Sequence, residues 1–401
     1  MANKHLPHDL AQMQSLPLEA KIIMTQQRIR QWYEYWDGQV YVSVSGIDST
    51  VLKHIIDQMY PDVPAVFVNT GLEYPEIQKF WKDVKDGKHS CFNPDVEIIR
   101  PKMRFDEVIK KYGYPVISKR VSNTLHYAKK NLAEGKYTYR IAALNGDIKS
   151  EDGKTSIFNC KKWSFVAEAP FDVSDHCCAI MKKHPLSDYA KRVNRKPITG
   201  QMASESQNRK AQWIIHGCNA YEKISPISSP LSFWTKQDVL HYAKKYNVPY
   251  PSVYGDIVVS SEDCINSGQT TIYDMLDDYE GAKLTTTGCD RTGCIFCMFG
   301  CHLEKEPNRF QRLKQTHPRQ YEYCINGGEY ITEGYAMDDS GEWKSFVFEH
   351  DDGTPMSNEE IEEFVEEFKN NADFKFARKW QPNKEGLGLG YVLDFIGVKY
   401  D

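Results

Sequence analysis

Four closely spaced cysteines carry the most specific chemical signal in the sequence. They follow the pattern Cys289-x4-Cys294-x2-Cys297-x3-Cys301. A Cys-x2-Cys pair lets two thiolates bind one metal from a single turn, and both zinc and iron–sulfur clusters take four such ligands. The spacing therefore predicts a metal or cluster site and leaves zinc and iron–sulfur as alternatives.

A second cysteine feature, the adjacent pair Cys177 and Cys178, favours iron over zinc. Neighbouring cysteines are awkward ligands for a zinc knuckle but suit the corners of an iron–sulfur cube. Taken alone, the pair would be equally consistent with core packing. Together with the later run it predicts a [4Fe-4S] cluster, with zinc as the alternative metal.

A strand followed by a helix, with small residues between them, predicts an anion site early in the chain. Residues 40–44 alternate as a strand, and a helical pattern runs from Asp48 to Met59. The intervening Ser45-Gly46 turn leaves backbone N–H groups at the helix N-terminus, which suit phosphate or pyrophosphate. No Gly-Lys-Ser/Thr follows, so the turn is not a Walker loop.

The elements after this turn predict an α/β fold with a mostly parallel sheet. Further strands are predicted at 64–69 and 96–99, with helices between and after them. Strands and helices that alternate at these separations form βαβ units. The carboxyl ends of parallel strands meet at one edge of a sheet, so the second small-residue turn, Asn69-Thr70-Gly71, should join the first in one ligand site.

Length, charge and cysteine content limit the kind of protein. The chain has 401 residues, a formal net charge of −5 and eleven cysteines. The negative charge argues against coating nucleic acid by charge alone, and no apolar run is long enough for a membrane span. The N-terminal pattern predicts no leader, so reduced thiols in the cytoplasm are expected. The basic cluster from Lys182 to Lys196 favours a solvated surface, with steering of a phosphate-bearing substrate as the alternative.

The chain is predicted to divide into three segments. Residues 1–36 contain one amphipathic helix that is expected to pack on the sheet. Residues 37–302 hold the anion-site and cysteine motifs. Residues 303–401 change character, carry an acidic helix near 358–368, and are expected to form a C-terminal α+β appendage.

Six stretches with different chemical roles occur in the order found in one known family. They are Ser45–Thr50, Val68–Glu76, Cys177–Leu186, Ile198–Arg209, Ser225–Tyr250 and Thr292–Cys297. The first resembles the pyrophosphate loop of the ATP pyrophosphatase, or adenine nucleotide alpha-hydrolase, superfamily. The others resemble motifs of the phosphoadenosine phosphosulfate (PAPS) reductase family. The tandem cysteines are similar to those of its iron–sulfur branch, which includes adenylylsulfate (APS) reductases and DNA phosphorothioation enzymes.

This resemblance implies a doubly wound, HUP-like sheet that binds an adenine nucleotide, either ATP or APS/PAPS. The implied nucleotide-binding residues are Ser45, Gly46, Ile47, Ser49, Thr50, Asn69, Thr70, Gly71, Thr199 and Gly200. The implied ligands of a [4Fe-4S] cluster are Cys177, Cys178, Cys294 and Cys297, and Cys289 and Cys301 are competing ligands. Mg²⁺ is expected to bridge the phosphates, with Asp48 as one of its ligands.

Three departures from the family pattern bear on the reaction. The first loop is one residue short and lacks the second glycine, and Met202 stands where the family usually supplies an arginine. The family's Glu-Cys-Gly-x-His thiol motif is not found, and Cys324 is the only late cysteine. Met202 and the missing thiol motif argue against reductive release of sulfite. The shortened loop alters the phosphate cradle and is the best support for a binding module without catalysis.

The preferred hypothesis is an ATP pyrophosphatase-like sulfurtransferase that adenylates an oxygen and replaces it with sulfur. Its predicted catalytic residues are Asp48, Lys119, Arg120 and Arg209, and the three cations would offset phosphate charge. The hypothesis allows a sulfur donor protein, cysteine desulfurase or thioredoxin-like, and a nucleic-acid acceptor as partners, but no membrane. One alternative is a thiol-dependent PAPS or APS reductase that releases sulfite. The other is a metal-stapled binding module without catalysis.

Overall fold

The computed structural model describes residues 4–260 and 281–401 and divides into two compact units. The first unit comprises residues 1–102 and 180–295, and the second comprises residues 103–179 and 296–401. The chain therefore passes between the units three times. One passage directly follows the tandem cysteines, and another falls inside the Cys-x2-Cys motif.

Helices and strands alternate through much of the described chain. The strands are β1 (Val40–Val44), β2 (Ala65–Val68), β3 (Val96–Ile99), β4 (Val116–Ile117), β5 (Lys196–Thr199), β6 (Asn219–Ala220), β7 (Ile227–Ser228), β8 (Ile257–Val259), β9 (Leu284–Thr286), β10 (Met298–Phe299), β11 (Glu329–Met337), β12 (Trp343–Phe346) and β13 (Phe374–Gln381). The α-helices are α1 (Pro7–Gln14), α2 (Leu18–Tyr35), α3 (Ile47–Met59), α4 (Pro75–Lys85), α5 (Phe105–Tyr112), α6 (Lys119–Ala133), α7 (Tyr139–Asn145), α8 (His184–Val193), α9 (Gln207–His216), α10 (Lys236–Lys245), α11 (Arg309–Thr316), α12 (Pro318–Ile325), α13 (Asn358–Phe368) and α14 (Leu389–Phe395). Short 3₁₀ helices lie at Lys161–Glu168, Ala203–Glu205, Ser252–Tyr254 and Cys301–Leu303, and a π-helical turn lies at Ala179–Lys183. Among the described residues, no helix combines the length and apolar character needed to span a bilayer.

The first unit is built around a six-stranded sheet with the order β3-β2-β1-β5-β7-β6. Neighbouring strands pair in parallel except β6 and β7, which are antiparallel. In the central strand β1, Val42 lies opposite Ala65 on one side and Ile198 on the other. All three side chains are fully buried, as expected for a parallel sheet that is covered on both faces. The predicted α/β fold with a mostly parallel sheet is confirmed.

Helix α3 begins almost directly where β1 ends and supplies part of the core. Gly46 is its N-cap, and Val51, Leu52, Ile55 and Ile56 are at most 1% exposed. Apolar residues spaced three and four apart along a helix give it one buried face. This burial fixes α3 in place, so its N-terminus stays at the carboxyl end of β1.

The N-terminal segment forms two helices, α1 and α2, where the sequence predicts one. Pro17 is the N-cap of α2 and has an extended conformation, which separates the two helices. Lys21 of α2 places its ammonium 2.7 and 2.8 Å from the two carboxylate oxygens of Asp238. Asp238 lies in the first turn of α10, where the predicted N-cap Thr235 accepts its backbone N–H. This buried ion pair therefore ties α2 to the start of α10.

The second unit contains a three-stranded antiparallel sheet with the order β12-β11-β13. Helix α13, which has the bounds of the predicted acidic helix, packs on it through aromatic rings. The Phe364 ring lies 6.0 Å from Phe374 and 6.1 Å from Phe376, measured between ring centroids. Residues 303–401 thus have the predicted α+β content. The predicted domain boundary at residue 303 stays a prediction. Residues 303–401 belong to the same compact unit as residues 103–179.

Candidate functional site

The first small-residue turn is held in shape by its own side chains. The backbone N–H of Ser45 donates to Ser49 Oγ at 2.7 Å, and Ser49 Oγ donates to the Gly46 carbonyl at 2.8 Å. Thr50 is fully buried, and its hydroxyl donates to the same carbonyl at 3.2 Å. The turn is therefore preorganised, and it presents the N-terminus of α3 as a site for anions.

Gly46 is required because two side chains approach its Cα closely. A Cβ atom at this position would lie 2.4 Å from Tyr254 Oη and 2.7 Å from Thr292 Oγ1. These two hydroxyls are 2.6 Å apart, and Tyr254 Oη accepts the N–H of Ile47 at 3.0 Å. Tyr254 and Thr292 thus close one side of the turn, an arrangement that the sequence did not predict.

The turn opens into a pocket of about 1320 Å³ in the first unit. The predicted site residues that line it are Ser45, Gly46, Ile47, Asp48, Ser49, Thr199, Gly200 and Arg209. Gly200 directly follows β5, and a Cβ atom there would come within 3.0 Å of the backbone of Asp48 and Ser49. The carboxyl ends of β1 and β5 therefore meet at the N-terminus of α3, where parallel sheets place their ligands.

Three cations lie within electrostatic reach of Asp48 in this pocket. They are Arg209, Lys236 and Arg291. Burial raises the pKa of the Asp48 carboxyl, and the three cations act in the opposite direction. Burial also lowers the pKa of Arg209, and the charge of Arg291 lowers it further, so the two guanidiniums repel each other. Glu205 pairs with both guanidiniums and offsets part of this repulsion. A bound phosphate group would offset more of it, because guanidiniums form strong charge-assisted hydrogen bonds with phosphate oxygens.

Sequence reasoning identified Arg209 but missed Lys236 and Arg291. Lys236 begins α10 directly after its N-cap, and Arg291 lies inside the cysteine run. In the sequence, Lys236 is explained as the start of a helix and Arg291 as part of a metal motif, so neither indicates a phosphate site. Their shared neighbour Asp48 lies far earlier in the chain, so only the fold brings them together.

The pocket is basic although the chain as a whole is acidic. Seven Lys or Arg residues and three Asp or Glu residues line it, whereas the formal net charge of the chain is −5. Four of these cations, Lys183, Lys191, Arg195 and Lys196, belong to the basic cluster of the sequence. Their position in the pocket favours substrate steering over a purely solvated surface for that cluster.

The second small-residue turn is not among the residues that line the described pocket; it surrounds a buried carboxylate. Thr70 donates its backbone N–H to Glu73 at 2.9 Å and its hydroxyl at 2.8 Å. Asn69 Oδ1 accepts the N–H of Gly71 at 3.1 Å. Glu73 is only 3% exposed and lies 3.3 Å from Lys182 Nζ. A direct contact of this turn with a nucleotide stays a prediction.

Lys182 connects the buried Glu73 with a predicted cluster ligand, Cys294. Burial alone would lower the pKa of Lys182, but its interactions with the Cys294 sulfur and with Glu73 outweigh burial and raise that pKa. A cation beside a thiol favours the thiolate, which is the form that binds metals. Lys182 therefore favours the thiolate form of Cys294, whose role as a ligand stays a prediction.

Within the second unit, Cys297 and Cys178 interact electrostatically. Burial raises the pKa of the Cys297 thiol, and the charge of Cys178 raises it further. The Cys297 carbonyl accepts a hydrogen bond from Arg309 at 2.8 Å. Glu304 accepts the backbone N–H and the Nε–H of Arg309, each at 2.8 Å. The backbone that carries Cys297 is therefore held in place from outside the cysteine motif.

The competing ligand Cys301 has a structural setting of its own. It is 1% exposed, donates its S–H to the Met298 carbonyl at 3.0 Å, and has its pKa raised to about 11 by burial. Across the residues that the structure describes, no three His, Cys, Asp or Glu side chains are grouped as ligands of one metal ion, and no cysteine forms a disulfide. By donor type, the thiols fit a soft metal or an iron–sulfur cluster, and the choice of four ligands stays a prediction.

The two other predicted catalytic cations lie in the second unit. Lys119 is the first residue of α6, behind the N-cap Ser118, and its charge favours the thiolate of Cys297 against the effect of burial. Arg120 donates to the Phe158 carbonyl at 2.6 Å. A catalytic role for either residue stays a prediction.

The first unit has a mostly parallel sheet, and its basic pocket lies where strand ends meet a helix N-terminus. Nucleotide-binding α/β proteins have this architecture. The family model described as "Phosphoadenosine phosphosulfate reductase domain" matches residues 39–136 and 118–298. Because these matches span more than half of the chain, the chain belongs to this family. The family predicted from the motifs is confirmed, and its iron–sulfur branch stays a prediction.

The individual relatives are named as reductases of adenosine phosphosulfates. An adenosine 5'-phosphosulfate reductase of Bacillus cereus is 24% identical over 236 residues, which cover 58% of this chain and 74% of that protein. The enzyme of the same name from Bacillus mycoides is 23% identical over 219 residues, covering 54% and 68%. The crystal structure of a PAPS reductase from Candida auris, in a phosphate complex, matches with 17% identity and a TM-score of 0.33, covering 63% of this chain and 90% of that one.

Proposed function

We propose that the pocket of the first unit binds ATP, with the phosphates at the 45–49 turn. The observation that carries this proposal is the set of three cations around Asp48 at the N-terminus of α3. A helix N-terminus and converging guanidiniums both favour a polyphosphate over a neutral ligand. Membership of the PAPS reductase family supports an adenine nucleotide as the carrier of these phosphates.

The proposed reaction begins with the transfer of an adenylyl group. An oxygen of the acceptor attacks the α-phosphorus of ATP, the bond to the β-phosphate oxygen breaks, and pyrophosphate leaves with the electron pair. Arg209 and Arg291 would offset the charge that develops on the leaving group. Asp48 of the turn would hold a Mg²⁺ ion, which would offset phosphate charge.

The second step of the proposed reaction replaces the activated oxygen with sulfur. A hydrosulfide attacks the acceptor carbon, the carbon–oxygen bond breaks, and AMP leaves with the oxygen and the electron pair. The hydrosulfide would come from the persulfide of a sulfur donor protein, which a thiol reduces with formation of a disulfide. A cysteine desulfurase or a thioredoxin-like protein would be a suitable donor of this persulfide.

The cysteines would serve this reaction as ligands of a [4Fe-4S] cluster. The proposed ligands are Cys177, Cys178, Cys294 and Cys297, with Cys289 and Cys301 as alternatives and zinc as the alternative metal. When bound, such a cluster would supply a charged inorganic centre that positions the sulfur to be transferred. Lys182 would donate a hydrogen bond to the Cys294 sulfur and link it to the buried carboxylate of Glu73.

A thiol-dependent APS or PAPS reductase is the second candidate function, and the names of the relatives favour it. Such a reaction needs a nucleophilic thiol that accepts the sulfo group. Cys324 is fully buried, and burial raises its pKa well above the ordinary value, so it is poorly suited to this role. The reductase would therefore take its thiol from a partner protein.

Nucleotide binding and product release distinguish the candidates. Protein purified under anaerobic conditions is titrated calorimetrically with ATP, APS and PAPS, and sulfite is assayed with APS or PAPS in the presence of thioredoxin and a thiol. Preferential binding of ATP without sulfite release supports the sulfurtransferase. Thiol-dependent sulfite release establishes the reductase, and binding of none of the three nucleotides leaves the metal-stapled binding module.

A further inference from the structure

A strongly basic surface lies in the second unit, on the segment from Lys119 to Phe165. This segment, which we call the basic–aromatic surface, contains ten Lys or Arg residues and four Asp or Glu residues, a formal net charge of +6. The chain as a whole carries −5. Charge concentrated this way on one segment indicates a polyanionic partner, because each cation that binds a phosphate releases bound counterions.

Several cations on this surface have no carboxylate to neutralise them. Lys130, Lys149, Lys161 and Lys162 are all exposed, and none of them lies within 4.0 Å of a carboxylate oxygen among the described residues. By contrast, Lys136 of the same segment lies 2.8 Å from Glu134. The unneutralised cations remain available to phosphate groups.

Aromatic rings are exposed among these cations, where a purely electrostatic surface would not need them. Tyr137 is 68% exposed, Tyr139 is 61% exposed and Phe158 is 51% exposed. Arg120 lies 6.0 Å from the centroid of the exposed Phe158 ring, and Arg140 lies 4.6 Å from that of the half-buried Tyr127. Exposed rings next to cations are the combination with which proteins stack the bases of a single strand.

Two of the exposed rings, Tyr139 and Phe158, line a cavity of about 680 Å³ together with two asparagine amides. Its lining includes Arg120, Asn123, Asn131, Tyr139, Arg140 and Phe158. The polar groups are held in position by their neighbours. Asn123 Nδ2 donates to Asp175 at 3.1 Å, and Asn131 Nδ2 donates to Thr138 at 2.9 Å. A cavity with fixed amides and an aromatic wall suits a nucleobase that has left its stack.

We infer that the basic–aromatic surface binds single-stranded nucleic acid, with a base in the cavity against Tyr139 and Phe158 and with phosphates on the surrounding lysines. A duplex fits less well, because its bases are stacked on each other and cannot reach the rings. An acidic protein segment would use the charges but not the cavity. Strand binding goes beyond the function proposed for the pocket of the first unit. If the bound nucleic acid is also the sulfur acceptor, that further role rests on the proposed sulfurtransferase function.

The test measures fluorescence anisotropy of labelled strands of about 20 nucleotides with the full-length protein. Single-stranded DNA, single-stranded RNA of the same sequence and the matching duplex are compared at about 50 and 200 mM salt. We expect one or both single strands to bind more tightly than the duplex and to lose affinity at the higher salt concentration. The DNA and RNA arms identify which strand is the ligand.

Variants of one ring separate stacking from charge. Tyr139→Ala should weaken strand binding roughly fivefold or more, whereas Tyr139→Phe, which keeps the ring, should bind like the parent. Replacing Lys161 and Lys162 together with glutamine should weaken binding. It should also flatten the log–log salt dependence by about 0.7 for each phosphate that the surface no longer binds. Tyr35→Ala, an equally exposed tyrosine of the first unit, is the control and should leave strand binding unchanged.

The inference is overturned if no strand binds at the lower salt concentration, if the duplex binds as tightly as both single strands, or if Tyr139→Ala binds like the parent. Tighter binding to anionic phospholipid vesicles than to any strand would also overturn it. Asp48→Asn tests the two proposals separately, because it should impair ATP binding and leave strand binding intact. Conversely, Tyr139→Ala should bind ATP normally.

Discussion

The Arg291 guanidinium lies 2.7 Å from the Glu205 carboxylate, beside the N-terminus of α3. The other carboxylate oxygen of Glu205 pairs with Arg209 and accepts the backbone N–H of Met202 at 2.8 Å. One carboxylate thus orients two guanidiniums that would otherwise repel each other. Met202, which stands where the family usually has an arginine, is packed in the core. Arg291 therefore brings a guanidinium to the pocket from a distant part of the chain.

Removal of the Arg291 guanidinium should weaken nucleotide binding. A hydrogen bond to a charged group contributes about 1.5–3 kcal/mol, so Arg291→Ala should raise the dissociation constant for ATP roughly tenfold or more. Calorimetric titration with ATP measures the change. Lys85→Ala, at an exposed position of α4, is the matched control and should bind ATP like the parent. Equal affinities of Arg291→Ala and the parent would remove the main support for the phosphate site.

Neutralising Asp48 should stabilise the protein at neutral pH while it impairs the pocket. Burial raises the folded-state pKa of Asp48 above its unfolded value. The folded state then holds the proton more tightly, so the contribution of Asp48 to stability is lost as the pH rises through the folded pKa. Asp48→Asn should therefore raise the free energy of unfolding at about pH 7.

The pH dependence of unfolding checks the sign of this effect. The stabilisation by Asp48→Asn should shrink as the pH falls below the ordinary aspartate pKa of about 4, where the parent is protonated in both states. Thermal unfolding of both proteins across this pH range provides the measurement. Asp62→Asn, at an exposed position, should show no such difference. Destabilisation by Asp48→Asn at neutral pH would mean that the three cations outweigh the burial of Asp48.

Local sequence patterns were sufficient for the elements that frame the pocket. The alternation of valines in β1, the apolar face of α3 and the Thr235 cap of α10 are each encoded within a few residues. The pocket itself depends on interactions between distant parts of the chain. Arg291 was interpretable only as part of a metal motif until the fold brought it beside Glu205.

For the second small-residue turn, the sequence predicted the position of the backbone but not the partners of the side chains. Its spacing predicted a place beside the first turn, and β2 does pair with β1. Thr70 of this turn, however, donates its backbone N–H and its hydroxyl to Glu73, a residue of the same motif. Side-chain direction at a turn depends on the partners available in three dimensions, which a pattern of residue types does not specify.

The buried ion pair between α2 and α10 should be essential for stability. Lys21 is 2% exposed, and its ammonium bonds both Asp238 oxygens and the Gln14 carbonyl. Removing one partner of a buried pair leaves an uncompensated charge, so Lys21→Met should lower the free energy of unfolding by about 3–5 kcal/mol. Chemical denaturation provides the measurement.

An exposed pair of the same helices supplies the control for that prediction. Lys245 pairs with Glu19 near the surface, with half of each side chain exposed. Because exposed pairs contribute about 0–1 kcal/mol, Lys245→Met should change the free energy of unfolding far less than Lys21→Met. Similar losses in the two variants would show that burial of Lys21 does not set the strength of its pair.

Serine substitutions should separate ligating cysteines from structural ones. If the proposed [4Fe-4S] cluster is held by Cys177, Cys178, Cys294 and Cys297, serine at any of these positions removes a thiolate ligand. Each variant, purified anaerobically, should then lose most of the iron and acid-labile sulfide that the parent carries. Cys301→Ser should keep both, because Cys301 is buried and donates to the Met298 carbonyl, which a hydroxyl can also do. Cys91→Ser, outside both cysteine motifs, is the control. Metal analysis and visible absorption measure the outcome. Loss of iron in Cys301→Ser would indicate that the ligands are the four cysteines between Cys289 and Cys301. One zinc per chain without sulfide would indicate a zinc site in place of the cluster.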